Sequence, residues 1–200
     1  MKKNRIETFS DGVFSVAATL LIVPLIPTNP AARLDEILQS LPLRAGVYAM
    51  SFLIVGVYWV AHNRFLARLK TVDHNILWLN IITLMLIGFI PLPTAALAGH
   101  PFEPTTIALY GCTLAAVNVS GTLTWLAISL SANAEIPRRT AKLTAIIHIA
   151  PAVTYLAAAA FGSVMPFVSL LIFLATPLFF MLPHPFLARV LKSDDPQDRV

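Results

Sequence analysis

The chain has 200 residues, 57% of them hydrophobic and only 12% charged, with a formal net charge of +4. A charged fraction about half the roughly 25% usual in soluble domains excludes an ordinary soluble globular protein. The basic residues are scattered through polar breaks and form no stripe interleaved with aromatics, so nucleic acid is not an expected partner.

Apolar windows long enough to cross a bilayer recur at roughly 6 to 27, 42 to 65, 75 to 98, 105 to 131, 141 to 161 and 165 to 183. They predict an all-α integral membrane protein, a bundle of six transmembrane helices. Residues 1–191 form the expected transmembrane domain and 192–200 a polar cytoplasmic tail. The first window follows Lys2, Lys3 and Arg5, as the core of a secretory signal does, but runs into Pro24-Leu25-Ile26-Pro27 without a small-x-small cleavage pattern. It is expected to be retained as a span.

That first window opens on Arg5-Ile6-Glu7-Thr8-Phe9-Ser10-Asp11, which puts a carboxylate at the rim of a membrane-length helix. Charge there is costly without a partner, a water-facing position or an ion path. Arg5 lies six residues earlier, outside the i, i+4 spacing of a helical ion pair. A partner from the end of the second span, His62 or Arg64, reaches the same level, and the pair reads either as a structural clasp or as a proton relay. Further along, Val16, Leu20 and Val23 fall at i, i+4 and i+7, an apolar stripe with Ser15 and Thr19 beside it. The same stripe is also ordinary lipid-facing or bundle-core surface, so spacing alone assigns no pore. Pro24 removes the amide that would bond the Leu20 carbonyl and predicts a kink or loosened turn.

After the first span, Leu34, Ile37, Leu38 and Leu41 share one face of 31–41 and predict a short interfacial helix. Asn118 in the fourth span and His148 in the fifth are expected to hydrogen-bond across helices. Gly111 with Ala115, and Ala157 to Ala160 with Gly162, are small-residue faces for close helix packing. The single Cys112 has no partner for a disulfide or a metal and reads as a small packing residue. There is no His-Glu-x-x-His pair, no Gly-x-Ser-x-Gly elbow and no phosphate loop, so no enzyme, cofactor or metal site is expected.

Lys and Arg set the topology. Twelve of the 14 fall before the first span or in the breaks after the second, fourth and sixth, leaving only Arg33 and Arg44 on the other side. Both termini are therefore expected in the cytoplasm of a multi-pass cell-membrane protein.

The motif Arg-x-x-x-Phe-Ser-Asp at Arg5, Phe9, Ser10 and Asp11, continued by Gly12-Val13-Phe14-Ser15-Val16-Ala17-Ala18-Thr19-Leu20-Leu21, and the Trp-x-x-His at Trp59 and His62, resemble the endolysosomal potassium channel family, transmembrane protein 175, and its prokaryotic relatives. The resemblance implies a potassium-permeable cation channel with its pore lined by the first helix and without a Thr-Val-Gly-Tyr-Gly filter. It implies a constriction at Val16, further apolar rings at Leu20 and Val23, and hydroxyls linked to selectivity at Ser15 and Thr19. Arg5, Asp11, Trp59 and His62, with Phe9 and Ser10 of the motif, become the network that seats the pore helix. With a single Phe-Ser-Asp, the chain resembles bacterial members that assemble as homotetramers among membrane lipids; monovalent cations permeate and no cofactor is needed. Where many relatives place Ile, Val16 leaves a slightly wider neck. The rival reading is a proton-coupled secondary transporter using Asp11 and His62 as relay groups, with Pro24 marking a broken helix.

Overall fold

In lipid every backbone polar group has to be satisfied within the protein, so long apolar segments fold as helices. The computed structural model describes residues 3–26, 33–69, 71–131 and 138–181, with backbone alone at 138–140 and 180–181. Every regular element among these residues is helical: α1 (Lys3–Leu20), α2 (Leu34–Ala67), α3 (His74–Phe89), α4 (Pro91–Gly99), α5 (Pro104–Leu130), α6 (Arg138–Phe161) and α7 (Pro166–Met181). With α3 and α4 taken as one span, five spans have the length and apolarity to cross a membrane, and the apolar Pro166–Phe179 of α7 is shorter. The six-span, all-α expectation therefore holds, with a short sixth member.

Three boundaries differ from those read in the sequence. The amphipathic segment from Leu34 is no separate interfacial helix: it continues through Pro42 into the second span, giving one helix of 34 residues. At 1.5 Å per residue that helix is about 50 Å long, well beyond the ~30 Å hydrocarbon layer, so its first turns with Asp35 and Glu36 extend past the apolar core. The third span is interrupted after Phe89, where Pro91 and Pro93 lack the amides that would continue the ladder. The first helix ends at Leu20 and is followed by a 3-10 turn, Val23–Leu25, so Val23 is not on the same regular helix as Val16. The 192–200 tail, the 27–32 break and most of the basic 134–139 break lie outside the described residues or their described side chains.

The core is built in three levels. One apolar cluster contains Phe14, Ala17, Leu21, Ile54, Leu84, Ile87, Leu114, Tyr155 and Phe173. A second gathers Ile6, Phe65, Leu66, Leu69, Ile76, Trp125 and Ile128. Between the two in sequence, helix by helix, fall Ser10 on α1, His62 on α2, Asn80 and Thr83 on α3, Ser120 and Thr124 on α5, and His148 on α6. A polar layer thus separates two greasy ones. Within it the Thr83 hydroxyl donates to the Leu79 carbonyl at 2.9 Å and lies 2.7 Å from Ser120 Oγ.

The small-residue faces bring α5 and α6 close together. A Cβ built on Gly111 comes within 2.9 Å of both Ala159 Cβ and the Tyr155 carbonyl, and within 3.0 Å of Phe173 Cζ. The carbonyl belongs to a helix backbone and has little room to yield. Gly111→Ala is expected to destabilise the fold by about 1–3 kcal/mol through overpacking. Gly121→Ala on the same helix meets nothing within 4 Å and is expected to lower the thermal midpoint in detergent by less than Gly111→Ala does. Equal midpoints for the two variants would contradict this packing. Cys112, next to Gly111, is exposed and faces out of the protomer, so it is not a packing residue within it.

Candidate pore helix and its supporting network

Two opposite faces of α1 carry different chemistry. Ile6, Ser10, Phe14, Ala17 and Leu21, spaced by three or four, are buried, and with them the helix packs against α2 and α3. The other face stands clear of the protomer: Val16 is 60% exposed and Leu20 45%, with Val23 of the following turn at 51%, whereas Ala17 is 1% exposed. Ser15 and Thr19 lie on that exposed side too, and Thr19 Oγ1 donates to the Ser15 carbonyl at 2.8 Å. Intrahelical back-bonding of this kind keeps a hydroxyl satisfied at membrane depth and leaves its lone pairs turned outwards.

The carboxylate at the helix entrance finds a partner that the sequence reading assigned elsewhere. Trp59 Nε1 donates to Asp11 Oδ1 at 2.8 Å, and neither His62 nor Arg64 bonds the carboxylate. Geometry explains the choice, because Trp59 and Asp11 both lie towards the exposed side of the protomer and His62 points inwards. Arg5 and Phe9 are exposed, and Arg5 makes no hydrogen bond or ion pair among the described residues. The acid of the preceding turn, Glu7, is paired with Lys3 at 3.5 Å.

His62 belongs to a separate, buried chain of bonds. Its Nε2 lies 2.6 Å from Asn80 Oδ1, and Asn80 Nδ2 donates to Ser10 Oγ at 3.4 Å. Phe14, one turn after Ser10, packs edge-on against the imidazole at a ring separation of 5.3 Å. Asn80 thus ties α2 to α1 from α3, and the sequence reading passed over it. The signal was available: between Ile76 and Ile90 it is the one side chain with an amide or a charge, which inside a span asks for a partner. Asn118 does bond across helices, donating to Tyr58 OH at 2.6 Å, and Tyr58 donates in turn to the Leu114 carbonyl at 3.3 Å. His148 instead meets Phe65 edge-on at 4.6 Å. At the far end of α1, Arg44 approaches the Pro24 carbonyl with a long contact of 3.5 Å.

Asp11→Ala and Trp59→Phe each delete one end of the same bond. The double variant is expected to lose no more oligomer or fold stability than the worse of the two single ones, as a double-mutant cycle reads coupling. Additive losses on detergent gels and in thermal melts would mean that the two side chains act separately.

Among the described residues, no group of three or more His, Cys, Asp or Glu side chains is placed to hold a metal ion. Apolar spans, a polar layer buried between them and a helix face left free together define a polytopic α-helical membrane protein. A family model described as endosomal/lysosomal potassium channel TMEM175 matches residues 5–91. A potassium channel of Streptomyces collinus is 31% identical over 144 residues, 68% of this chain and 69% of that protein. The endosomal/lysosomal proton channel TMEM175 of Homo sapiens is 34% identical over 118 residues, 58% of this chain but 23% of that longer protein. Among solved structures, a lysosomal potassium-selective channel TMEM175 homolog from Chamaesiphon minutus superposes with a TM-score of 0.76 at 26% identity, over 90% of this chain and 96% of that one. The chain belongs to the TMEM175 family, a family of ion channels and not of enzymes.

Proposed function

We propose that this chain is the subunit of a homotetrameric, potassium-permeable cation channel of the cell membrane, with four copies of α1 lining the pore. What supports the reading most is the division of α1 into a face sunk in the protomer and a free face carrying Val16 and Leu20, continued by Val23 in the turn that follows. Rings of these side chains close the path by dewetting, and conduction requires them to widen enough for a partly hydrated cation. Ser15 and Thr19 supply oxygens beside the narrowest ring. The family relationship and the names of the bacterial relatives as potassium channels support potassium as the leading ion. Permeating cations are the only inorganic partner, and no cofactor takes part.

Asp11 with Trp59, and His62 with Asn80 and Ser10, act as the seat of the pore helix; Arg5 and Phe9 stand beside them, towards neighbouring subunits. Both termini lie in the cytoplasm, in line with the distribution of Lys and Arg. Outside, Glu36 and Glu103 attract cations over the screening length of about 8–10 Å, with Asp35 partly neutralised by Arg33 at 3.1 Å. The transporter alternative loses support because its two relay groups, Asp11 and His62, are engaged in separate hydrogen bonds.

Purified protein in liposomes tests the proposal. Downhill potassium flux that continues when the proton gradient is clamped is the expected result. Flux that stops under that clamp would favour coupled transport, and silence under a potassium gradient would overturn conduction.

A further inference from the structure

A cavity of about 50 Å³ lies in the polar layer, where α1, α2, α3, α5 and α6 meet. His62, Tyr58, Asn118, Thr122, Gly121 and His148 are among its lining residues. It is a partly open recess between the helices, bounded on the α1 side by Phe14 of the buried face, and is therefore distinct from the free face that carries Val16.

The hydrogen bonds around His62 fix what the cavity has to supply. Asn80 Nδ2 is engaged with Ser10, so its Oδ1 is the atom facing His62, and Nε2 of the imidazole must be the donor. In the neutral ring that donates through Nε2, Nδ1 carries a lone pair. That nitrogen is buried and meets no hydrogen-bond partner among the described residues, on a residue only 6% exposed. A buried acceptor left unpaired is an uncommon and costly condition.

We propose that this cavity is a water-binding site and that one of its waters donates a hydrogen bond to His62 Nδ1. Size and chemistry both select the occupant. The volume exceeds the roughly 10–15 Å³ that admits one water and falls well short of the ~150 Å³ of an apolar cavity that takes benzene. The amide of Asn118 and the hydroxyls of Tyr58 and Thr122 provide the further polar partners that a buried water needs. No carboxylate lines the cavity, so a dehydrated cation finds no compensating charge there. The bound water joins the chain His62, Asn80, Ser10 and so extends the seat of α1 into a hydrated recess of each protomer. The site does not depend on the conduction reading, and neither does its test.

The native protein is labelled with ¹⁵N-histidine in lipid nanodiscs, and the His62 signals are identified by their loss in His62→Gln. Expected are magnetisation-transfer cross-peaks between the His62 ring and a long-lived water, and an Nδ1 shift typical of a hydrogen-bonded acceptor. Gly121 borders the cavity with open space at its Cβ, so Gly121→Ala should weaken the cross-peak. Gly121→Val should abolish it while the Nε2–H signal of the bond to Asn80 persists. Absence of the water cross-peak in the native protein, or a cross-peak undiminished in both Gly121 variants, would overturn the proposal.

Discussion

Potassium flux through the reconstituted protein is expected to rise about tenfold when Val16 is replaced by Asn, the effect of ~1.4 kcal/mol removed from the barrier. In the proposed tetramer four amides would hold water where four isopropyl groups expel it, and the energetic obstacle in an apolar neck is the loss of that water. Val16→Ala is expected to raise flux by less, since it widens the ring and keeps it apolar. The fold should tolerate both changes, because Val16 makes little contact within its own protomer. Val153→Asn on α6 is the control: Val153 is 63% exposed and is expected to face lipid, so flux there should not change. Flux unaltered by both substitutions at Val16 would mean that this face of α1 does not line the ion path.

The second large effect is expected at Asn80, and it concerns stability. Asn80→Leu keeps the side-chain volume but strands His62 Nε2–H and Ser10 Oγ, both buried. Two buried groups without partners cost on the order of 2–4 kcal/mol. At about 2–4 °C per kcal/mol for a chain of this size, the thermal midpoint in detergent should fall by roughly 4–16 °C. Such molecules as remain folded should keep the native permeability ratios, because Asn80 is on the far side of α1 from the free face. A normal midpoint would show that the bond chain from His62 to Ser10 does not hold the helix; altered selectivity at normal stability would move Asn80 into the ion path.

The spans were legible because lipid makes a single demand, apolar length, and that demand is local in sequence. Their ends were less so. The helix after Leu34 carries a short amphipathic pattern of its own, and only the absence of a break at Pro42 shows that it is the start of α2. The stripe on α1 was readable as a period, but whether it was buried or free depended on which face Ile6, Phe14 and Leu21 would press into their neighbours. The partner of Asp11 required the relative rotation of two helices 48 residues apart in the bond, which periodicity does not contain. Asn80 was visible as a lone amide in an apolar run, and its role depended on two other helices meeting it at one level.

The early end of α1 has one more consequence. Pro24 offers no amide to the Leu20 carbonyl, and the Leu25 amide turns to Ile22 instead of Leu21. Carbonyl oxygens therefore finish the helix without the donors a further turn would bring, and a helix C-terminus carries about half a negative charge. Four such termini around one axis would offer an arriving cation a collar of backbone dipoles, an attraction that acid titration could not remove and that no side-chain substitution would erase.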